Sequence, residues 1–201
     1  LACSPPVRRL MDGLSGVSNP EKPWQAIVTM SLFSMIVAWL NWGLSLIGSA
    51  MLALFIVRRN PKVDYRLLIA SAYLGLGCTW HAGLTGSATL LVATPDNFLI
   101  KAKLLDAIIP VSNTIFHPFN LILTIIILIV VTILMGLMHP RPEKTFIVKP
   151  ELMEQLKLYV APPKPTKWES PSDWMNWWPG FNILTFIGIL IWLIWHFSTK
   201  G

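Results

Sequence analysis

Apolar residues in this chain fall into long blocks, each cut by a short polar or glycine- and proline-bearing interval. Trp24 to Leu40 is apolar, Asn41-Trp42-Gly43 interrupts it, and Leu44 to Val57 is apolar again. Read as one helix, this stretch of about 34 residues would run ~50 Å at the helical rise, well beyond a hydrocarbon core of about 30 Å. Read as two, the second arm of about 14 residues covers roughly 21 Å and is too short to cross. A re-entrant helical hairpin over residues 24–57, with its tip at Asn41 to Gly43, accommodates both lengths. One long tilted helix with Asn41 turned toward a neighbour is the other reading. An Asn-x-Gly inside an apolar run is costly without a reason.

The remaining blocks predict further helices. Residues 1–23 form a polar juxtamembrane segment with a short amphipathic turn around Val7 to Leu14. Leu67 to Trp80 is apolar but carries Ala70, Ser71, Ala72, Gly75 and Gly77, small residues that let helix backbones approach closely. Thr79 to Asn97 then reads TWHAGLTGSATLLVATPDN. It is too polar and too interrupted for a lipid-facing helix, with Gly83, Gly86 and Pro95 among Thr85, Ser87, Thr89 and Thr94. Backbone that leaves the helix at membrane depth must be buried in protein or line a wet cavity. A polar, Gly/Pro-interrupted segment between apolar ones is therefore a pointer to a transporter binding site. Leu67 to Ala93 predicts one crossing made of two half-helices. Phe98 to Val111, with Lys101, Lys103 and Asp106, predicts an interfacial helix. Phe119 to Met138 is aliphatic and long enough to span. Residues 65–138 thus hold the broken helix, the interfacial helix and a spanning helix. Residues 139–178 read as a polar cytoplasmic loop with a short helix at Pro150 to Tyr159, a Pro-rich stretch at Pro162 to Pro165, and an aromatic belt of Trp174, Trp177 and Trp178. Residues 179–201 form the final transmembrane helix.

Composition agrees. The chain of 201 residues is 54% hydrophobic and 13% charged, against about 25% charged in soluble domains. Its net charge of +6 sits in short clusters at the ends of apolar runs: Arg8-Arg9, Arg58-Arg59 with Lys62, and Arg141 to Lys149. That is the signature of cytoplasmic loops, not of a nucleic-acid-binding face. Cys3 and Cys78 are too few for a disulfide framework. Leu1-Ala2-Cys3 resembles the end of a lipoprotein cleavage site without the apolar run that should precede it. No paired Cys and no His-x-x-x-His marks a metal site.

Leu40-Asn41-Trp42-Gly43, Asp64-Tyr65 with Leu67 to Ala70, Ala72-Tyr73, Gly83 to Ala88, and Leu90 to Pro95, in that order, resemble the short-chain fatty acid transporter family (AtoE-like proteins). That family is grouped with the dicarboxylate/sodium symporters and arsenite permeases in the ion transporter superfamily. The resemblance runs from about Trp39 to Met138. It implies an all-α integral membrane protein holding one repeat of an inverted-repeat transporter, with a re-entrant helical hairpin and a broken transmembrane helix that meet at the substrate site. It implies elevator-type secondary transport of short-chain fatty acids or similar monocarboxylates. The second hairpin and second broken helix find no counterpart here. By motif match Asn41, Trp42 and Gly43 fall at the hairpin tip, and Thr85 to Thr89 and Thr94 to Asn97 at the helix break. His81-Ala82 departs from an expected glycine-rich run, and Asp96 from an expected small residue.

The residues permit that chemistry. A short carboxylate needs donors and positive potential, which half-helix N-termini supply. Asn41, Thr85, Ser87 and Thr89 can add side-chain donors, and Gly86, Thr94 and Asn97 fall at the helix break by the motif match. Trp42 and nearby aliphatics would cradle an alkyl tail. The substrate-binding candidates are therefore Asn41, Trp42, Gly43, Thr85, Gly86, Ser87, Thr89, Thr94 and Asn97. Backbone carbonyls around Gly83 to Gly86 and Thr94 to Asn97, with the Asp96 carboxylate, are candidates for a sodium or proton coupling site. Each hydroxyl also has a plain reading as a helix back-bonder, Asp96 as a helix cap, and His81 as packing. Ser112-Asn113-Thr114 reads as a loop and N-cap of the next helix.

No cofactor beyond a coupling Na+ or H+ is expected. The expected partners are a small carboxylate, the lipid bilayer, a second repeat from further sequence or another chain, and a second copy in a homodimer. The expected location is the inner membrane, in a multi-pass arrangement. Two other readings stand beside transport: a truncated non-transporting protein or subunit of a split transporter, and a membrane enzyme using His81 and Asp96 as acid and base, for which no nucleophile is in sight.

Overall fold

The computed structural model describes residues 5–149, 151, 170–171 and 178–200. Cys3, the expected helix at Pro150 to Tyr159, the Pro162 to Pro165 stretch, Trp174 and Trp177 lie outside them. Among the described residues all regular structure is helical. Four helical stretches are long and apolar enough to cross a membrane, so this is an all-α membrane protein. It divides into two units, residues 1–159 and 160–201.

The first unit opens with α1, Pro5–Gly16. The expected short turn is a full helix because its apolar face has somewhere to go. Met11 and Ser15 are buried against the end of α3, where Arg59 reaches the Asp12 carboxylate at 3.5 Å. Helix α2 is Trp24–Leu40 and α3 is Trp42–Arg59. Only Asn41 separates them, and it is extended, with φ −157° and ψ 119°. Its N–H closes α2 on the Val37 carbonyl at 2.7 Å, and its Oδ1 accepts the Leu44 N–H at 2.9 Å to start α3. One side chain therefore ends one helix and caps the next. The two helices fold back antiparallel. Ser45 Oγ donates to the Ser34 carbonyl at 2.8 Å, and Gly48 lies under the Phe33 ring. Helix α3 has 18 residues, or ~27 Å, longer than the 14-residue arm the apolar pattern marks out. By length and composition it is a candidate span.

Helix α4, Tyr65–Leu74, begins on the Asp64 side chain. It runs parallel to α2, stitched by Ser34 Oγ to the Ser71 carbonyl at 2.8 Å and Thr79 Oγ1 to the Met35 carbonyl at 2.7 Å. Gly75 packs on the Ser34 carbonyl, where a Cβ would overlap it. The helix then loosens into a π-turn, Gly75–Thr79, and tightens into a 3-10 turn, Trp80–Ala82, before Gly83 leaves it. Helix α5 is Ser87–Ala93 and α6 is Phe98–Lys101. The interfacial helix expected over Phe98 to Val111 is thus limited to its first turn. Lys103 takes a left-handed conformation, φ 58°, which no continuing helix adopts.

Helix α7, Pro118–Leu137, starts on the His117 imidazole, whose Nδ1 accepts the Phe119 N–H at 3.2 Å. The Ser112-Asn113-Thr114 motif supplies only a 3-10 turn over Val111–Asn113. Its expected role as N-cap of α7 falls to His117, which stands next to the first helical residue. Helix α7 runs antiparallel to α2: Gly136 faces Val28 and Trp24, and Phe116 meets Trp39 edge to face at 6.5 Å. The core lies among α2, α3 and α4, where Ile27, Met30, Leu52, Ile56 and Leu68 are fully buried. Most of α7 remains exposed and apolar, as a lipid-facing helix must be.

This arrangement sorts the molecule end to end. The start of α2, the end of α3, the start of α4 and the end of α7 share one end, which carries Lys22, Arg58, Arg59, Lys62, Arg66 and Arg141. The α2–α3 turn, the break after α4 and the start of α7 share the other. In the second unit, α8 spans Gly180–Lys200. Its side chains are largely exposed, and Trp192 stacks on His196 at 5.0 Å.

Candidate functional site

The α2–α3 turn and the break after α4 touch directly. The Leu84 N–H donates to the Trp39 carbonyl at 2.7 Å. The Trp42 N–H donates to Thr85 Oγ1 at 3.3 Å, across 43 positions of sequence. Gly83 makes the approach possible, since a Cβ there would overlap the Trp39 backbone. The Trp80 indole N–H donates to the Thr85 carbonyl at 2.9 Å, and its ring lies 5.9 Å from that of Trp42 and 4.2 Å from that of His81. The result is a polar backbone seam flanked by indoles. Asn120 ties α7 to it through Nδ2 and the Ala82 carbonyl at 3.0 Å.

Asn41, Trp42, Gly43, Gly83, Thr85 and Gly86 are therefore gathered in one place. Asn41 and Trp42 are exposed, Gly43 and Thr85 half-buried, and Gly83 and Gly86 buried. Thr85 Oγ1 accepts from Trp42, and among the described residues its own proton has no acceptor. Asn41 commits Oδ1 to Leu44, which leaves its Nδ2 as a donor. Ser87 is exposed at the start of α5, which has no side-chain cap. Thr89 lies beside them, but its hydroxyl donates back to the Gly86 carbonyl at 3.0 Å. Of the freed carbonyls, that of Gly83 accepts the Gly86 N–H at 3.0 Å. The Leu84 carbonyl has no backbone partner among the described residues.

Thr94, Asp96 and Asn97 stand apart, ~10 Å along the axis at the far end of α5. Thr94 Oγ1 back-bonds to the Leu90 carbonyl at 2.8 Å. Asn97 is buried and fully engaged: Oδ1 accepts the Leu99 N–H at 2.9 Å and the Ile100 N–H at 3.2 Å, while Nδ2 donates to the Thr94 carbonyl at 2.9 Å. It is the cap of α6. The cap reading for Asp96 is thereby replaced, because its left-handed backbone, φ 53°, turns the chain so that Asn97 arrives at the helix start. The Asp96 side chain is exposed, as is His81.

Three contributors had weak sequence signals. Trp39 supplies the carbonyl that receives Leu84, and its indole N–H is buried without a partner among the described residues. Trp80 clamps Thr85, and Asn120 anchors α7.

The profile of the short chain fatty acid transporter family matches residues 1–198. The chain belongs to that family. Two curated relatives agree, each carrying the name "Putative short-chain fatty acid transporter". That of Escherichia coli (strain K12) is 35% identical over 165 residues, covering 82% of this chain and 36% of the relative. That of Haemophilus influenzae (strain ATCC 51907 / DSM 11121 / KW20 / Rd) is 32% identical over 157 residues, covering 76% of this chain and 34% of the relative. This family member thus spans about a third of the length of the curated relatives it matches. No solved structure matches it. The match reaches well beyond the Trp39 to Met138 stretch that carries the motifs. The family and these relatives are named as transporters, not enzymes, so the reading of His81 and Asp96 as a catalytic pair is set aside.

Proposed function

We propose that this chain contributes a substrate half-site to a secondary transporter of short-chain fatty acids or similar monocarboxylates. The observation that carries the reading is the seam between Trp39–Trp42 and Trp80–Thr85. Two donors without acceptors, Thr85 Oγ1–H and Asn41 Nδ2, and the exposed Trp42 support it. A carboxylate takes the donors, and a short alkyl tail lies on the ring. Gly83, Gly86, Ser87 and Thr89 shape the seam, and Gly43 keeps the tip narrow. The Leu84 carbonyl offers an oxygen to a coupling sodium. Asp96, exposed at the other end of α5, is the alternative coupling group if the ion is a proton.

Transport is of the elevator type, with the hairpin and broken helix moving as one body. The hydrogen bonds that tie Trp39 to Leu84 and Trp42 to Thr85 support this coupling. The hairpin is re-entrant, with its basic end in the cytoplasm of an inner-membrane protein, as the charge distribution favours. A second repeat, from further sequence or another chain, completes the site, and a homodimer supplies the static frame. The test is uptake of labelled butyrate into proteoliposomes. The chain is reconstituted alone and with the downstream portion of a relative, under imposed sodium or proton gradients. Uptake driven by one gradient supports the proposal and names the ion. No uptake in any pairing favours a non-transporting remnant and overturns it.

A further inference from the structure

An apolar cavity lies at the opposite end from the seam. It has a volume of about 620 Å³ and runs between the start of α2 and the end of α7. Trp24, Val28, Thr132, Ile133, Gly136 and His139 line it. Gly136 lets the two helices close over its floor, since a Cβ there would come within 2.9 Å of Val28 Cγ2. The wall is apolar apart from Thr132 and His139. Thr132 is 6% exposed, and its Oγ1 is buried with no partner among the described residues. A threonine in a membrane helix ordinarily back-bonds to its own helix, as Thr124 does to the Asn120 carbonyl at 2.8 Å. Thr132 instead keeps an unpartnered hydroxyl buried behind the wall of an apolar groove. His139 offers nothing to an occupant: Nε2 accepts the Asp64 N–H at 3.2 Å, and Nδ1 pairs with the Pro140 carbonyl at 2.9 Å.

The mouth of the groove is cationic. Lys22 precedes Trp24 by two positions. Arg141 follows Pro140, which also lines the cavity, and Lys144 closes the next 3-10 turn. All three side chains are exposed. None belongs to an ion pair among the described residues, whose pairs are Arg59–Asp12, Lys62–Glu21 and Arg66–Asp64. Glu143 is the one carboxylate in the same turn. Around the groove, Ile129, Ile133 and Leu137 of α7 are exposed.

We infer that this groove is a site for an anionic phospholipid. An acyl chain fills the apolar cleft, and the phosphate meets Lys22, Arg141 and Lys144 at its mouth. Basic pockets between helices at the cytoplasmic face recognise anionic headgroups in this way. The inference is independent of which substrate is carried.

Native mass spectrometry of the chain in mild detergent tests it. Phosphatidylglycerol and phosphatidylcholine with matched acyl chains are the probes. Phosphatidylglycerol should be retained about tenfold better than phosphatidylcholine. The triple variant K22Q/R141Q/K144Q should bring the two lipids level without loss of helicity. Brominated acyl chains should quench fluorescence in the wild type more than in Trp24→Phe. Equal retention of the two lipids by the wild type overturns the inference. So does a charge variant that behaves as wild type, or a dimer that forms through this face and excludes lipid.

Discussion

Gly83 lies against the Trp39 backbone with no room for a Cβ between them. This contact joins the α2–α3 turn to the break after α4, and it makes a sharp demand on side-chain size. Gly83→Ala should push the Leu84 N–H off the Trp39 carbonyl and cost about 1–3 kcal/mol by overpacking. Gly13 is the matched control. It lies in α1 with open space around it, and Gly13→Ala there should gain about 0.5–1 kcal/mol from helix propensity. Thermal melting in detergent should therefore move in opposite directions for the two alanines. A Gly83→Ala melt unchanged from wild type would remove the seam from the argument.

Thr85 is the second test of the seam. Its oxygen accepts the Trp42 N–H, and its proton is the donor proposed for a carboxylate. Thr85→Ser keeps both functions, whereas Thr85→Val keeps the shape and loses both. In whichever reconstituted system shows uptake, the serine variant should stay within about threefold of wild type. The valine variant should lose uptake at least tenfold, since a hydrogen bond to a charged group is worth about 1.5–3 kcal/mol. Equal uptake by valine and wild type would place the substrate elsewhere.

The break was legible in the sequence because its causes are local. Gly83, Gly86 and Pro95 interrupt a helix whatever surrounds them, and Asn41 inside an apolar run announces a turn. The π-turn at Gly75–Thr79 was not legible. It follows from Gly75 packing on the Ser34 carbonyl and Thr79 reaching Met35, contacts between residues about 40 positions apart that no local pattern encodes. Asp96 and Asn97 could each cap a helix, and only the left-handed backbone at Asp96 decides between them. Helix α3 outruns its apolar arm at both ends, because the Asn41 cap lets the helix begin at Trp42 and its last turn continues through Arg58 and Arg59. Trp39 and Asn120 act through a backbone carbonyl and a long-range amide. Neither leaves a trace in hydrophobic periodicity.

Thr79 measures how much one interhelical hydroxyl contributes. It is fully buried and bonds to the Met35 carbonyl of α2. Thr79→Val preserves the shape and removes the bond, at a cost of about 0.6 kcal/mol, the average for such bonds in membrane proteins. Thr79→Ala also removes a methyl group from a packed position and should cost roughly 1 kcal/mol more. Reversible unfolding in mixed micelles should rank the three proteins in that order. A valine variant as unstable as the alanine variant would mean that the bond, and not the packing, holds α4 to α2.

Asp64 gives the fold a pH dependence of known sign. Its side chain is 3% exposed and receives the Phe146 N–H at 2.7 Å and the Leu67 N–H at 2.9 Å, with Arg66 at 3.4 Å. Burial alone would raise its pKa. The two backbone N–H groups and the guanidinium outweigh burial and hold the carboxyl below its ordinary value of 3.8. The folded state therefore binds this proton less readily than the unfolded chain, whose Asp titrates near ~3.9. The stabilisation is complete at neutral pH and disappears only as pH falls below about 4, through the lowered folded value. Asp64→Ala leaves the Phe146 and Leu67 N–H groups unmatched and should cost about 1–3 kcal/mol at pH 7. The gap between wild type and variant should hold constant from pH 7 to pH 5 and narrow below pH 4. A gap that narrows between pH 7 and pH 5 would instead point to a different titrating group, since Asp64 stays ionised throughout that range.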